Sequence, residues 1–580
     1  MKLVGPINRE TSILFKDGPY KSIKDCIARV GKYFPEKPIL ADLDENKNIR
    51  YYTGKMLVEE TDALGDGLIA LGLKDKHIAI IADNSVRYVY SDIAISNGVG
   101  VVTPIDKDAP EELTAILLNK CDANAVICSF YLVEKIKKAA EKCPLLKTII
   151  TIDKKVEGYP FYEEVVAEGY KLQKEGKGVY KDLDFDVKAP AKILFTSGTT
   201  GANKGVLLSG ANLLANMMNC LNVVKAVKGS NNVSMSVLPM HHSTEINTHI
   251  MARIGGATLT CISSSMRDLM TNIKIFKPTI ITIVPMIANA FYNGIYTNVR
   301  KAGLEKKLKM GIKICRLMEK FGKDIYRKLM TDVYAPFGGN LNQIVVGGAA
   351  LNPDVVKGFR ELGIFVCNGY GITECGPLIS MNAETFKDYR SVGPVCPGLE
   401  AKILNPDEDG IGELCVKGPS VSLGYYKDEE ATKKVFYEDG FFNTGDLAKL
   451  VKGKIYLTGR KKNVIVLENG KNVYPEEIET EIENSILYLN DIVVYNAPVE
   501  VNGKKKEILC CGVYIEDEEA RKNVDKLKAD FAIVNEKLSA YKKINIIHMA
   551  TEPYERTSLK KVKRGDAVLI RHKPENVIKL

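Results

Sequence analysis

Apolar residues alternate along the chain between short β-branched runs and longer segments with helical spacing. The runs His77–Ile81, Val101–Ile105, Ala125–Cys128, Thr148–Ile152, Ile193–Thr196, Thr279–Val284 and Gln343–Val346 read as strands, and the stretches between them as helices. That alternation predicts parallel sheets covered by helices. From Val392 to Leu457 the texture changes. Short strands are there broken by Gly393, Gly398, Gly410, Gly412, Gly418, Gly424, Gly440, Gly445 and Gly453, which predicts a small β-rich subdomain. Beyond Arg460 the pattern predicts a compact α+β unit. It has a helix after Pro475 with acids in its first turn, strands near Ile492–Tyr495 and Leu509–Ile515, and a helix from about Asn523 to Leu538. The expected fold is therefore α/β: a large N-terminal domain over residues 1–460, with the β-rich subdomain at about 392–457, and a small α+β C-terminal domain over residues 461–580. No internal repeat or low-complexity segment interrupts this organisation.

Composition narrows the class without naming a function. At 580 residues, 45% hydrophobic and 26% charged, the chain has the proportions of an ordinary multidomain globular enzyme. A net charge of +9 is modest for this size and gives no reason to expect a nucleic acid partner; it suits anionic small substrates equally well. The basic runs Lys504–Lys506 and Lys560–Arg564 read first as solvated faces. Thirteen cysteines without a C-x-x-C pair point to a reduced, cytoplasmic setting. The first ten residues lack an apolar signal core, and the apolar stretch Thr279–Ile295 is interrupted by Pro285, Asn289 and Asn293. Neither secretion nor a transmembrane anchor is expected.

The densest chemistry follows the run Ile193-Leu194-Phe195. Thr196-Ser197-Gly198-Thr199-Thr200-Gly201-Ala202-Asn203-Lys204-Gly205 combines small residues, whose backbone amides can approach phosphate oxygens, with four hydroxyls and the cation of Lys204. A Walker loop would need Gly-Lys followed by Ser or Thr, and the order here is Lys204-Gly205-Val206. The run TSGTTGANKGV closely resembles the signature of the adenylate-forming superfamily of acyl-CoA synthetases, adenylation domains and luciferases. Asn203 stands where that signature usually has proline, which bears on loop stiffness more than on chemistry.

The resemblance continues in order along nearly the whole chain. Gly347-Gly348-Ala349 follows a strand, with small side chains that would admit a flat adenine. Asn368-Gly369-Tyr370-Gly371-Ile372-Thr373-Glu374 is similar to the family's aromatic-Gly-x-Thr-Glu motif. The resemblance implies that Tyr370 stacks on adenine, Thr373 bonds a phosphate and Glu374 helps hold a magnesium ion, a hard cation that prefers oxygen ligands. Asp446, in Thr444-Gly445-Asp446, matches the acid that accepts the ribose hydroxyls. Arg460 matches the nucleotide-binding arginine, and Lys462 falls at the hinge of a mobile C-terminal domain. Many relatives carry aspartate at that hinge, and long-chain acyl-CoA synthetases often carry lysine. Gly470 would line the thiol channel. Arg556-Thr557-Ser558-Leu559-Lys560-Lys561-Val562-Lys563-Arg564 resembles the closing signature and makes Lys561, rather than its neighbour Lys560, the adenylation lysine. His242, in Leu238-Pro239-Met240-His241-His242, matches the residue near the substrate carboxylate, and a structural histidine is the alternative.

The activity implied is that of an ATP- and magnesium-dependent ligase. It would join a carboxylic acid, expected to be a medium- or long-chain fatty acid, to coenzyme A through an acyl-adenylate. An acyl carrier protein as acceptor, and a nucleotide-binding hydrolase or regulatory protein, are the alternatives. Fatty substrates partition into bilayers, so peripheral contact with membranes stays open.

Overall fold

The computed structural model describes residues 3–4, 11–196, 203–224, 226–227, 232–348, 351–382, 388–467, 472–486, 488–501, 504–556, 562, 564 and 577–580. Two helix-covered sheets dominate the first two-thirds. One has seven strands in the order Gly424–Tyr425, Lys204–Ser209, Pro190–Thr196, Gly100–Pro104, Lys76–Ile81, Ala125–Cys128, Thr148–Thr151. The other has eight, in the order Leu378–Asn382, Phe365–Gly371, Gln343–Val346, Ile280–Ile283, Val233–Ser236, Leu259–Ile262, Pro38–Leu43, Ile49–Thr53. Their central strands pair in parallel, as the alternating pattern predicts. Ile78, Ile80, Ala125, Ile127, Ile280, Ile281, Ile283, Ile344 and Val346 are all buried, which is why these runs read as continuous apolar segments.

The antiparallel edges were not visible in that pattern. Pro38–Leu43 and Ile49–Thr53 form a hairpin whose second strand carries Arg50 and the exposed Tyr51. A half-solvated strand lacks the apolar run that marks its buried neighbours. The apolar stretch at 279–295 resolves into a strand, Ile280–Ile283, and a helix, Pro285–Lys301, with Pro285 at the first helical position where its missing N–H costs nothing. Among the described residues no helix is long and apolar enough to cross a membrane.

A five-stranded antiparallel sheet follows, in the order Gly393–Pro394, Lys454–Arg460, Phe442–Val451, Gly412–Lys417, Glu400–Leu404. The last part of the chain packs the helices Pro475–Ser485 and Val524–Lys537 on a four-stranded sheet around a core that includes Ile478, Ile482, Val513 and Phe531. Its strands Asp491–Val501 and Lys504–Tyr514 run longer than their apolar cores, pairing through Val501↔Lys504. The basic run Lys504–Lys506 therefore belongs to a β-ribbon. All thirteen cysteines are free and buried.

The carboxyl ends of the parallel strands in both large sheets face one cleft. Asp83, Ile105, Thr196, Val237, Val284 and Gly348, each at or just past a strand end, line it. Loops at that end of a parallel sheet are where side chains converge without disturbing the hydrogen-bonded ladder.

Candidate active site in the central cleft

The cleft measures about 3700 Å³, well beyond the roughly 300–1,000 Å³ of a single small-molecule pocket. It is walled by both large sheets, the five-stranded sheet and the C-terminal segment. Thr196, Lys204, His242, Gly348, Gly369, Tyr370, Gly371, Thr373, Glu374, Asp446, Arg460 and Lys462 all line it. Residues up to 266 positions apart in sequence, from Thr196 to Lys462, are thus brought to one cavity. Gly347 lines a smaller recess adjoining the cleft, and Asn368 is buried in the strand just before it. Ser197, Gly198, Thr199, Thr200, Gly201, Ala349, Gly470 and Lys561 lie outside the described residues.

The strands on either side of the glycine- and hydroxyl-rich run pair with each other. Thr196 pairs with Lys204, and Lys204–Ser209 is a strand, antiparallel to Pro190–Thr196, before a helix starts at Gly210. A Walker loop feeds directly into a helix, so this geometry argues against that alternative independently of the residue order. The Lys204 ammonium sits 4.7 Å from the centre of the Tyr425 ring, and the Tyr425 hydroxyl donates to Glu374 Oε1 at 3.0 Å. Burial pushes the Glu374 carboxyl above its ordinary pKa, and the hydrogen bond from Tyr425 opposes that shift. Among the described residues no group of three or more His, Cys, Asp or Glu side chains could hold a metal ion. A single carboxylate facing the cleft fits a hard cation that takes its remaining oxygen ligands from a bound polyphosphate.

Asp446 anchors the opposite wall. It lies within the strand Phe442–Val451, directly across from Arg460 on Lys454–Arg460. The φ of +71° at Gly445 is in the left-handed region that glycine tolerates best. The amide of Gly445 donates to Asn443 Oδ1, the amide of Asp446 to Thr444 Oγ1, and Thr444 Oγ1 in turn to the carbonyl of Leu414. These local bonds fix the turn that presents the acid. Asp446 Oδ2 accepts from the Tyr370 hydroxyl at 2.7 Å, and Oδ1 pairs with Arg460 Nε at 2.9 Å. Asp446 is 6% exposed, and its charge holds Arg460 above the ordinary pKa of an arginine. Two glycines nearby serve close approach. A Cβ on Gly371 would sit 2.0 Å from the Pro377 carbonyl oxygen, whereas one on Gly347 would meet nothing nearer than 3.8 Å. The fold therefore demands glycine at 371, whereas a Cβ at 347 would only reach ordinary contact.

His242 lies in the cleft beside His241, their ring centres 4.2 Å apart. Burial, with a smaller contribution from Lys107, pushes His241 down to about 4, and its Nε2 stands 3.7 Å from Asp106. Asn84 positions this segment: its side chain donates to the Leu238 carbonyl at 2.8 Å and accepts from the Met240 amide at 2.9 Å. Lys462 sits exposed in the turn Lys461–Asn463, with its pKa lowered by partial desolvation and then by Arg460. Past it, Asn463 bonds Glu476 at the start of the next helix. Around the closing signature, Arg556 pairs with Asp491 and Arg564 with Glu479, while Val562 and Arg564 border the cleft.

Sequence reasoning missed Tyr425, Asn84 and the buried Lys192. None sits in a glycine- or hydroxyl-rich run, and only Gly424 before Tyr425 gave a local signal.

A family model described as AMP-binding enzyme matches residues 27–426. Long-chain-fatty-acid–CoA ligase 5 of Mus musculus is 27% identical over 517 residues, covering 83% of this chain and 73% of that protein. A chloroplastic long-chain-fatty-acid acyl-carrier-protein ligase of Arabidopsis thaliana is 26% identical, covering 80% and 73%. The crystal structure of the anthranilate CoA ligase AuaEII in complex with anthranoyl-AMP superposes with a TM-score of 0.77 at 16% identity, over 96% of this chain and 98% of that one, a likeness of fold.

Proposed function

Because this chain belongs to the AMP-binding enzyme family, we propose that it is an AMP-forming ligase that activates a carboxylic acid with ATP and passes the acyl group to a thiol. The observation that carries the reading is the convergence of Tyr370, Asp446 and Arg460 in one bonded group on the wall of a cleft that also receives Glu374, Thr196 and Lys204. A carboxylate oxygen attacks the α-phosphorus of ATP, the bond to the bridging oxygen breaks, and pyrophosphate leaves. The thiol sulfur then attacks the acyl carbon, AMP leaves, and the thiol proton passes to solvent.

Roles follow from chemistry. The face of Tyr370 suits a purine, the side-chain-free surface of Gly347 admits its edge, and Asp446 is an acceptor for ribose hydroxyls. Thr196, Ser197, Thr199, Thr200 and Lys204 supply hydroxyls and a cation to the β- and γ-phosphates, with Gly198 and Gly201 freeing backbone amides. Thr373 and Glu374 face the same end, and Glu374 would hold magnesium, which when bound neutralises charge on the departing pyrophosphate. Lys561 supplies charge to the α-phosphate and the attacking carboxylate. His242 stands near that carboxylate.

Residues 461–580 would form a domain that turns about Lys462, withdrawing Lys561 and bringing Gly470 to a narrow thiol path. Coenzyme A is the proposed acceptor, and the Arabidopsis relative supports an acyl carrier protein as the second reading. The names of the relatives favour a medium- or long-chain fatty acid.

Acid-dependent pyrophosphate release, measured across acids of graded length with and without coenzyme A or a carrier protein, tests the reading. Release only with an acid present supports it, and no response to any acid overturns it. Lys561→Ala is expected to abolish release while sparing thioester formation from supplied acyl-AMP. Equal loss of both steps would refute the division of labour around Lys462.

A further inference from the structure

Behind the two glycine turns the cleft adjoins a recess of about 50 Å³. The two cavities share Thr244, Gly348, Gly369, Tyr370, Gly371 and Pro377, so the recess begins where the nucleotide motifs end. Leu221, Ala252, Val345, Leu378 and Met381 give it apolar walls. An acid whose carboxylate met a nucleotide at Tyr370 could enter the recess past these shared residues. At roughly 10–15 Å³ per water-sized group, the recess as folded has room for about four such groups, a short chain.

One wall residue does not belong in an apolar chamber. Arg253, on the helix Met251–Gly255, is 7% exposed, and among the described residues its guanidinium makes no ion pair and no hydrogen bond. Arg253 lines the recess together with Cys220, Ala252 and Val345. Burial lowers it only to about 10, so it stays charged at neutral pH. The buried acid on the adjoining turn, Glu245, is engaged with His249 at 3.1 Å. A desolvated cation without a counterion is costly to maintain, and its forked donors match a carboxylate.

We propose that Arg253 receives an anionic group at the far end of the acid, so that the preferred substrate is a short α,ω-dicarboxylic acid. This rests on the ligase reading above and departs from its long-chain expectation. The apolar walls pack the methylenes, Arg253 takes the distal carboxylate, and the proximal carboxylate stays at the nucleotide.

The test measures pyrophosphate release with monocarboxylic acids and their matched α,ω-diacids for the wild type, Arg253→Met and Arg253→Lys. The wild type is expected to favour the diacid of best length over the equal-length monoacid by about 10- to 100-fold in kcat/KM, the range of one charged hydrogen-bonded contact. Arg253→Met should reverse that preference, with Arg253→Lys intermediate. A wild-type preference for monoacids at every length, or equal loss on both series in Arg253→Met, would overturn the proposal. Diacid-induced thermal stabilisation of the whole chain gives a second reading independent of turnover. A shift present in the wild type and lost in Arg253→Met supports the anion site, and no shift in the wild type overturns it. No release with any acid, even alongside such a shift, overturns the ligase reading alone.

Discussion

Lys192 is a buried cation on the strand that leads to the glycine- and hydroxyl-rich loop, and replacing it with methionine should destabilise the protein in a way that depends on pH. Its ammonium donates to Asp92 Oδ1 and to Asn247 Oδ1, both at 2.7 Å, and the Lys192 and Asp92 side chains are 1% and 3% exposed. Burial pushes both groups toward their neutral forms, and their mutual attraction opposes it. With the lysine gone, Asp92 escapes as an isolated buried charge only by taking a proton. From a carboxyl pKa of about 3.9, that costs ~4 kcal/mol at pH 7 and ~1.5 kcal/mol at pH 5, at about 1.36 kcal/mol per unit. The first figure falls within the ~3–5 kcal/mol typical of breaking a buried pair. The sign follows from the raised pKa of Asp92 in the variant. Its folded form binds a proton that the unfolded chain lacks at pH 7, so the deficit against wild type shrinks as pH falls toward 4. Pairing Lys192→Met with Asp92→Asn removes both charges and should recover most of the loss at pH 7. The chain has no tryptophan, so urea unfolding is best followed by far-UV circular dichroism, comparing midpoints at pH 7 and pH 5. A deficit equal at the two pH values, or a double variant no more stable than Lys192→Met, would refute the reasoning.

Tyr425→Phe removes a hydrogen bond that favours the ionised form of Glu374, so the magnesium concentration giving half-maximal pyrophosphate release should rise by about tenfold, the equivalent of ~1.4 kcal/mol; an unchanged magnesium titration would count against the assignment of Glu374. His241, pushed down to about 4, stays neutral in the folded protein while the unfolded chain takes up a proton below about 6.5. Stability should therefore fall as pH drops from about 6.5 to 4, by up to ~2 kcal/mol at pH 5, and His241→Gln should flatten that part of the stability profile measured by urea midpoints.

The α/β class, the buried parallel strands, the β-rich segment and the order of the nucleotide motifs were legible in the sequence because each is a local pattern. A strand buried on both faces must be a short apolar run, and a loop that meets phosphates must be built of small and hydroxyl residues. Thr373, Glu374, Asp446 and Arg460 were singled out by their resemblance to the family's motifs, and the fold brings all four to one cleft. Tertiary structure decided what depends on chain crossings that no window of sequence records. It paired Lys204–Ser209 back on Pro190–Thr196, so that a strand and not a helix follows the glycine- and hydroxyl-rich run. It also set Tyr370, Asp446 and Arg460 in mutual contact, since two antiparallel strands place residues 446 and 460 in register beneath a third from another sheet. Lys192 and Arg253 look alike in sequence, single cations in apolar surroundings. Folding gave one of them a buried carboxylate and left the other facing an apolar recess, because counterions are supplied by packing and not by neighbours in the chain.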